Sequence, residues 1–240
     1  MNNYYLNAVK ELESWKVKMQ KKPSIIDKAS KNFQNKFNNM LPEKYNEILT
    51  AAIKNMIKVV LLGSEITTPT YYHILSLEEK ETLIREKIST YKRTAMIEGA
   101  GTGAGGFLMS LTDFPLLLSI KIKFLYDVAS IYGFDISNYK ERLYILHIFE
   151  LAFSSQENMN KVFKRMDMWS EYSNSLPSDI NYFDWRNFQQ QYRDYIDIAK
   201  LVQMLPAVGA LAGAYVNSKL MTKLGETAIN AYRMRLFEKI

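Results

Sequence analysis

Two side chains in this sequence have the chemistry for acid–base catalysis, Asp113 and His147. Asp113 lies in the most apolar part of the chain, where burial would raise the pKa of its carboxyl group. His147 is one of two histidines and stands between Leu146 and Ile148. If the two side chains met in a cavity, they could move protons in a hydrolase-type reaction. The alternatives are an N-cap role for Asp113 and a satisfied core position for His147.

Other kinds of catalytic and cofactor chemistry lack the residues they need. The chain has no cysteine, which excludes disulfides, zinc–thiolate sites, iron–sulfur clusters and thiol nucleophiles. The two histidines fall in no metal-binding motif, and no serine or threonine stands in a nucleophile elbow. We therefore expect no metal and no cofactor, and the sequence does not support an enzyme.

The segment EGAGTGAGGFLMSLTDFP, residues 98–115, holds five glycines within eight positions. Gly101, Gly103 and Gly106 match the dinucleotide-binding pattern G-x-G-x-x-G, with Asp127 about 20 residues further on. That fingerprint requires an apolar strand before the first glycine, but the preceding residues EKISTYKRTAMIE are typical of a charged helix. No Gly-Lys-Ser or Gly-Lys-Thr follows, as a P-loop would require. The segment is therefore interpreted as helical.

Glycines in a helix destabilise it unless another element packs closely against them. Relative to alanine, five helical glycines cost about 4–5 kcal/mol, and the five are Gly99, Gly101, Gly103, Gly105 and Gly106. Small residues four positions apart form a flat surface on which a second backbone can lie. The segment PAVGALAGAYVN, residues 206–217, repeats this pattern with Gly209 and Gly213. We expect these two glycine-rich helices to pack closely at the centre of the protein.

The periodicity of the whole chain indicates an all-α fold, a compact multi-helix bundle. Apolar residues recur at spacings of three and four, and no segment alternates as a β-strand would. A helix over residues 42–62 is predicted to bury one apolar stripe, which consists of Ile48, Leu49, Ala52, Ile53, Met56, Ile57 and Val60. Residues 179–203 place aromatic side chains at helical spacing, which favours a core face.

Capping residues predict several helix boundaries. Ser76 is the expected N-cap of a long helix that contains no proline before residue 111 and therefore enters the glycine segment. Pro115 suits the first turn of the following helix, and Gly133 suits its C-terminal end. Asn138 and Glu141 form a capping pair for the next helix. Further breaks are expected at Leu176-Pro177 and near Gly225.

The positive charge of the chain is concentrated at its N-terminus. Residues 1–60 contain eleven lysines and five acidic residues, an excess equal to the net charge of +6. We expect a basic helical N-terminal arm over residues 1–41 and a helical domain over residues 42–240. Such an arm suits an anionic surface, where each nearby lysine contributes about 1 kcal/mol, although a solvated helical face has the same composition.

Part of this arm has the composition of a membrane-interface segment. The stretch LESWKVKMQKKP combines Trp15 with Lys16, Lys18, Lys21 and Lys22. Acidic residues are interleaved with the lysines and no nucleic-acid-binding motif is present, so no nucleic acid is expected as a partner.

Neither glycine-rich segment is a good membrane span. Residues 99–120 are long enough, but Asp113 costs about 2.5–3.5 kcal/mol near the middle of a bilayer. Residues 201–216 are too few and contain Pro206. A buried hairpin is favoured over a two-span anchor, with shallow insertion left open. The first ten residues do not resemble a secretory signal, so we expect an intracellular protein.

Three motifs in order resemble the EcsC protein family over about residues 45–240: GAGTGAGGF, TDFPLLLSIKIKFLYDVASIYGFD, and LPAVGALAGAYVNSKL leading into AYRMRLF. The positions that match by motif, and that we take as candidate ligand or helix-packing residues, are Gly99, Gly101, Gly103, Gly105, Gly106, Asp113, Pro115, Tyr132, Gly133, Asp135, Pro206, Gly209, Gly213 and Asn217. The resemblance implies a helical, mostly bacterial protein associated with an ABC exporter operon whose transporter bears on protein secretion. It implies no catalytic activity.

These observations lead to one functional hypothesis and two alternatives. The hypothesis is a cytoplasmic, membrane-peripheral, non-catalytic accessory protein of an ABC exporter system. Its expected partners are the membrane surface or lipid and ABC transporter subunits, and it would bind lipid or another apolar ligand. The alternatives are a hydrolase-type enzyme that uses Asp113 with His147, and a soluble protein-interaction module.

Overall fold

The computed structural model describes residues 3–21, 43–62, 68, 75–102, 114–196 and 210–238. The α-helices within these ranges are α1 Asn3–Gln20, α2 Glu43–Leu62, α3 Leu77–Thr102, α4 Phe114–Tyr132, α5 Tyr139–Phe153, α6 Gln156–Asp167, α7 Trp169–Ser175, α8 Trp185–Tyr195 and α9 Ala210–Phe237. A short 3-10 helix, Ile180–Tyr182, lies between α7 and α8. The described residues form no β-strand, and the only bridge among them joins Ser154 to Ile196. The all-α prediction is confirmed.

Two helices begin at the residues that the sequence predicted. At the start of α3, the Ser76 side chain accepts a hydrogen bond from the Glu79 amide at 3.3 Å, and the Ser76 amide donates to the Glu79 carboxylate at 2.8 Å. This is a reciprocal capping box. Asn138 caps α5 by accepting a hydrogen bond from the Lys140 amide at 2.9 Å. The predicted capping partner Glu141 is wrong, because its side chain is buried against α9 instead.

Gly133 ends α4 as predicted. Its φ of +90° lies in the left-handed region that favours glycine. The Gly133 amide donates to Ser130 O and the Phe134 amide to Ala129 O, both at 3.0 Å, which is the hydrogen-bond pattern of a Schellman motif. Pro115 lies in the first turn of α4, where its missing N–H leaves no bond unmade.

Helices α3 and α9 are long, pack against each other and run antiparallel. Glu81 near the start of α3 contacts Arg233 near the end of α9, and Ile88 lies opposite Gly225. The predicted helix break near Gly225 is wrong, because α9 continues through it from Ala210 to Phe237. A Cβ atom at Gly225 would lie 2.3 Å from Ile88 Cδ1, so this glycine permits the close approach of α3.

The described core is built around α4 and α5. Helix α4 contacts α2, α3, α5 and α9, while α5 contacts α2, α4, α6 and α9. Every residue of α5 from Leu143 to Phe153 is buried, as expected for a helix that is covered on all sides.

The glycine-rich segments only partly fall within the described residues. Helix α3 includes Gly99 and Gly101, which confirms that it enters the glycine segment, and α9 includes Gly213. The remaining predicted positions lie outside the described residues; these are Gly103, Gly105, Gly106, Asp113, Pro206 and Gly209. The close packing of two central glycine-rich helices therefore stays a prediction.

The predicted apolar stripe of α2 is shorter than expected. Its buried members are Ala52, Ile53, Met56, Ile57 and Val60. Ile48 is 36% exposed, so its predicted burial is wrong, because the described helices leave about a third of this side chain uncovered.

Helix α1 packs against α9, α6 and α3. Its buried residues, Ala8 and Leu12, are four positions apart and so lie on one face of the helix. The proposed division of the chain at residues 41 and 42 stays a prediction.

Candidate functional site

A buried arginine joins three helices. Arg233 on α9 is 2% exposed, and its Nε and Nη2 atoms donate to the two carboxylate oxygens of Glu81 on α3, both at 2.6 Å. Its Nη1 atom donates to Glu11 on α1 at 2.8 Å. Burial alone would lower the pKa of Arg233, but the hydrogen bonds to Glu81 and Glu11 raise it above its ordinary value. The guanidinium therefore stays charged and fixes α1, α3 and α9 relative to one another.

Two tyrosines and a second arginine complete this cluster. Tyr4 donates to Glu81 at 2.6 Å and Tyr132 donates to the same carboxylate at 3.3 Å. Arg85 donates through Nη1 to Tyr4 at 2.8 Å. Burial raises the pKa of Tyr132 well above its ordinary value, so its hydroxyl stays protonated and keeps donating. The motif residue Tyr132 thus has a structural partner in Glu81.

A second buried ion pair joins α5 to α9. Glu141 accepts hydrogen bonds from Tyr232, at 2.8 Å, and from Arg235. The Arg235 guanidinium lies over the rings of Phe134, at 3.9 Å, and Tyr144, at 4.5 Å, as cation–π contacts do. Burial raises the pKa of Glu141, and the contact with Arg235 opposes that rise.

A cleft of about 690 Å³ opens between α1, α3 and α9, beside Arg233, and we call it the basic cleft. Its lining combines four cations, two carboxylates, three apolar side chains and three neutral polar ones: Lys10, Lys18, Arg85, Arg233, Glu11, Glu226, Trp15, Ile88, Ile229, Ser14, Thr222 and Asn230. The cations therefore exceed the carboxylates by two.

The structure brings together only some of the residues predicted to face a membrane. Trp15 and Lys18 both line the basic cleft. Lys16 instead pairs with Asp167 on α6 at 3.3 Å. Lys21 is exposed just beyond α1, and Lys22 lies outside the described residues.

A second depression, of about 560 Å³, lies between α2 and α4, and we call it the apolar groove. Its lining is Ala52, Asn55, Met56, Val59, Val60, Pro115, Leu118, Ser119, Ile122 and Lys123. Val59 is 49% exposed, and Leu116, one residue after the lining proline, is 50% exposed. The periodicity of α2 indicated an apolar face, but which part of that face stays uncovered depends on the packing of other helices.

Asp127, the acid that completed the rejected nucleotide fingerprint, has a structural role. It is buried on α4, and its carboxylate contacts Lys87 at 3.1 Å, Tyr91 at 2.9 Å and also Lys123. Because Lys87 and Tyr91 belong to α3, these contacts hold α3 against α4.

His147 lies in the core, away from both depressions. Its Nδ1 atom is 2.7 Å from the buried Glu150 carboxylate. The rings of Trp169, Tyr172 and Phe188 meet the imidazole edge-on, with centroids 5.7–5.9 Å away. Burial lowers the pKa of His147. Its predicted partner Asp113 lies outside the described residues.

The other motif residues shape connections between helices. Asp135 accepts hydrogen bonds from the amide and hydroxyl of Ser137, at 2.9 and 2.6 Å, and these bonds lower its pKa. Together with Gly133 it forms the turn between α4 and α5. Asn217 is buried on α9 and accepts a hydrogen bond from Lys121 on α4 at 3.5 Å.

Two further properties concern only the described part of the chain. It contains no group of three His, Asp or Glu side chains able to hold a metal ion. None of the helices in these ranges is both long enough and apolar enough to cross a bilayer.

The fold defines the class of the protein as an all-α bundle, and its sequence carries the three motifs quoted above. Over residues 6–237 the sequence matches the EcsC protein family, and the chain belongs to that family. The match begins well before residue 45, where the motifs had placed its start.

The chain is 42% identical to Protein EcsC of Bacillus subtilis (strain 168) over 232 residues, which cover 96% of this chain and 95% of the relative. It is 31% identical to the uncharacterized protein YdbA of the same organism over 144 residues, which cover 59% of this chain and 52% of that relative. No solved structure matches the chain.

The buried His147 predicts a specific pH dependence. Its folded-state pKa is lowered, so the unfolded chain binds a proton that the folded protein does not. Stability is therefore retained above the ordinary histidine pKa of about 6.5 and lost as pH falls below it, by up to about 1.4 kcal/mol per pH unit. NMR titration of the imidazole in a His73→Gln variant, which leaves one histidine, should give a midpoint for His147 below the ordinary histidine pKa of about 6.5. A midpoint at or above the ordinary value would contradict this assignment.

Proposed function

We propose that this protein is a non-catalytic, membrane-peripheral accessory protein of an ABC exporter system that contacts lipid through the apolar groove. The observation that carries the proposal is the exposure of Val59 and Leu116, each about half exposed, beside a groove with an apolar lining. The exporter part is supported by membership of the EcsC family, because the resemblance to that family implies an association with an ABC exporter operon.

The exposed apolar residues Ile48, Val59 and Leu116, interspersed with the uncharged residues Asn55 and Ser119, form a band along the groove. On α2, Ile48, Asn55 and Val59 follow at spacings of seven and four and so lie along one line of the helix. On α4, Leu116 and Ser119 are three positions apart and lie beside each other at the rim. Single exposed apolar residues are normal on protein surfaces, but a clustered band beside a groove is typical of an interaction site.

The charges around this band suit an anionic bilayer. Lys54 and Lys58 are exposed on α2, one helical turn apart, and Lys123 lines the groove from α4. Each lysine close to an anionic membrane surface contributes about 1 kcal/mol. An apolar band bordered by lysines can enter the interfacial region while the cations stay at the level of the headgroups.

The glycine-rich helices form the second part of the proposal. Within the described residues, Glu81 lies opposite Arg233 and Ile88 lies opposite Gly225 in the antiparallel pair α3 and α9. The same register can be continued toward the C-terminal end of α3 and the N-terminal end of α9. It then places Gly101 of α3 opposite Gly213 of α9. We propose that Gly101 and Gly213 meet where the backbones are closest, as expected for small residues four apart.

Liposome flotation tests the membrane part. Wild-type protein should float with vesicles that contain anionic lipid at low salt and should be released at high salt. Changing Val59→Ser and Leu116→Ser together should weaken this binding at least tenfold, because each side chain loses most of its gain from burial in lipid.

The matched control removes exposed apolar side chains away from the groove, Met168→Ser and Tyr182→Ser. It should float like the wild type. The proposal fails if wild-type protein stays unbound at low salt, or if the groove variant floats as well as the control.

Engineered cysteines test the glycine contact in a chain that has no cysteine of its own. A Gly101→Cys/Gly213→Cys variant should form an intramolecular disulfide under mild oxidation, because the bond requires Cα atoms within about 7 Å. Pairing Gly101→Cys with Lys219→Cys moves the second thiol about 9 Å along α9 and should prevent the bond. Equal crosslinking of the two pairs would contradict the register.

A further inference from the structure

We infer that the basic cleft between α1, α3 and α9 is a binding site for a phosphate monoester that also carries hydroxyl groups. This inference is independent of the proposed membrane contact, because the cleft and the apolar groove share no residue. The ligand could be a free polyol phosphate or the headgroup of phosphatidic acid, since both present a phosphate monoester on a glycerol-like skeleton; the free ligand alone also carries hydroxyl groups.

Two lysines on one face of α1 can bind the phosphate group. Lys10, Ser14 and Lys18 follow at spacings of four, and all three line the cleft. Both lysines are exposed, and neither is held in an ion pair by another described residue. They can therefore turn toward a bound anion without breaking an existing contact.

Arg85 contributes a directed donor from the opposite wall. It donates through Nη1 to Tyr4 at 2.8 Å and through Nη2 to Glu81 at 3.5 Å. A guanidinium carries five N–H donors, so three remain on a side chain that is half exposed. The planar fork of arginine matches phosphate oxygens better than a lysine ammonium does.

The carboxylates in the cleft limit what it can accept. Glu11 is already paired with Arg233 at 2.8 Å, whereas Glu226 is exposed at the mouth. Glu81 lies behind this lining and pairs with Arg233 and Arg85, so four cations face three carboxylates when it is counted. One net positive charge remains, which favours an anion such as a phosphate monoester over a neutral ligand.

The side chain of Asn230 indicates that the ligand carries hydroxyl groups. Its Nδ2 atom donates to the backbone oxygen of Glu226 at 2.9 Å, which leaves Oδ1 as the acceptor. Oδ1 is buried and has no hydrogen-bond partner within the described structure, although Asn230 lines the cleft. Unpaired buried acceptors are rare in native proteins, and a ligand hydroxyl would satisfy this one.

The remaining walls suit the carbon skeleton of such a ligand. Trp15 lies edge-on to Phe163 at 5.8 Å and is thereby held in place, while Ile88 and Ile229 line the cleft beside it. A volume of about 690 Å³ lies within the range of small-molecule sites.

Titration calorimetry with the full chain in the absence of membranes tests the inference. The probes are sn-glycerol 3-phosphate, inorganic phosphate and glycerol. Glycerol 3-phosphate should bind most tightly, inorganic phosphate more weakly, and glycerol not measurably. A Lys10→Ser/Lys18→Ser variant should weaken glycerol 3-phosphate binding at least tenfold, whereas Lys164→Ser/Arg186→Ser, which removes two exposed cations from α6 and α8, should leave it unchanged.

An Asn230→Ala variant should lose the preference for glycerol 3-phosphate over inorganic phosphate while it still binds both. Phosphatidic acid vesicles distinguish the source of the phosphate. If the free probes do not bind but binding to these vesicles requires Lys10 and Lys18, the ligand is a lipid headgroup. The inference is overturned if no probe binds below about 10 mM and vesicle binding does not depend on these lysines. It is also overturned if both double variants weaken binding equally. If vesicle binding is lost in the Val59→Ser/Leu116→Ser variant but not in the Lys10→Ser/Lys18→Ser variant, and no free probe binds, the proposed membrane contact stands and the phosphate site in the basic cleft is overturned.

Discussion

The structure depends on one buried cation, the Arg233 guanidinium. Removing a charge from water is costly, and only close hydrogen-bonded carboxylates offset that cost. Arg233 has two such partners, Glu81 on α3 and Glu11 on α1, and the Glu81 contact is bidentate. The three helices are therefore held in one arrangement, and that arrangement creates the basic cleft. A change in this cluster is expected to alter the shape of the cleft even where the lining side chains are untouched.

Smaller polar contacts extend this framework to the rest of the bundle. Asp127 holds α4 against α3, Asn217 lies at the contact between α4 and α9, and Glu141 with Arg235 joins α5 to α9. The two depressions lie between different helices, α1, α3 and α9 for one and α2 and α4 for the other. The proposed membrane contact and the inferred anion site can therefore be tested separately in the same chain.

Local signals in the sequence predicted helix boundaries, whereas contacts between distant segments could not be predicted. Ser76, Asn138 and Gly133 act through hydrogen bonds or backbone angles within a few residues, so their roles follow from residue type and position. In the sequence, Gly225 resembles a helix terminator. Its actual role is to make room for Ile88, and this role can be recognised only from the packing of α3 on α9. Arg233 and Glu81 are 152 residues apart, and nothing near either residue identifies its partner. The sequence predicted that Trp15 and Lys18 face a membrane, and both residues line the basic cleft. The other walls of this cleft come from α3 and α9, which the sequence near Trp15 does not identify.

The most direct test of this account is a double-mutant cycle between Glu81 and Arg233, followed by urea unfolding at neutral pH. Glu81→Gln takes from the buried Arg233 its bidentate partner and leaves only Glu11, and Arg233→Met takes from the buried Glu81 its closest cation. Each change alone should lower the free energy of unfolding by about 3–5 kcal/mol. The double variant should lose clearly less than the sum of the two single losses, because it buries neither charge. Two small, additive losses below about 1 kcal/mol, as for an exposed ion pair, would contradict the central role of Arg233.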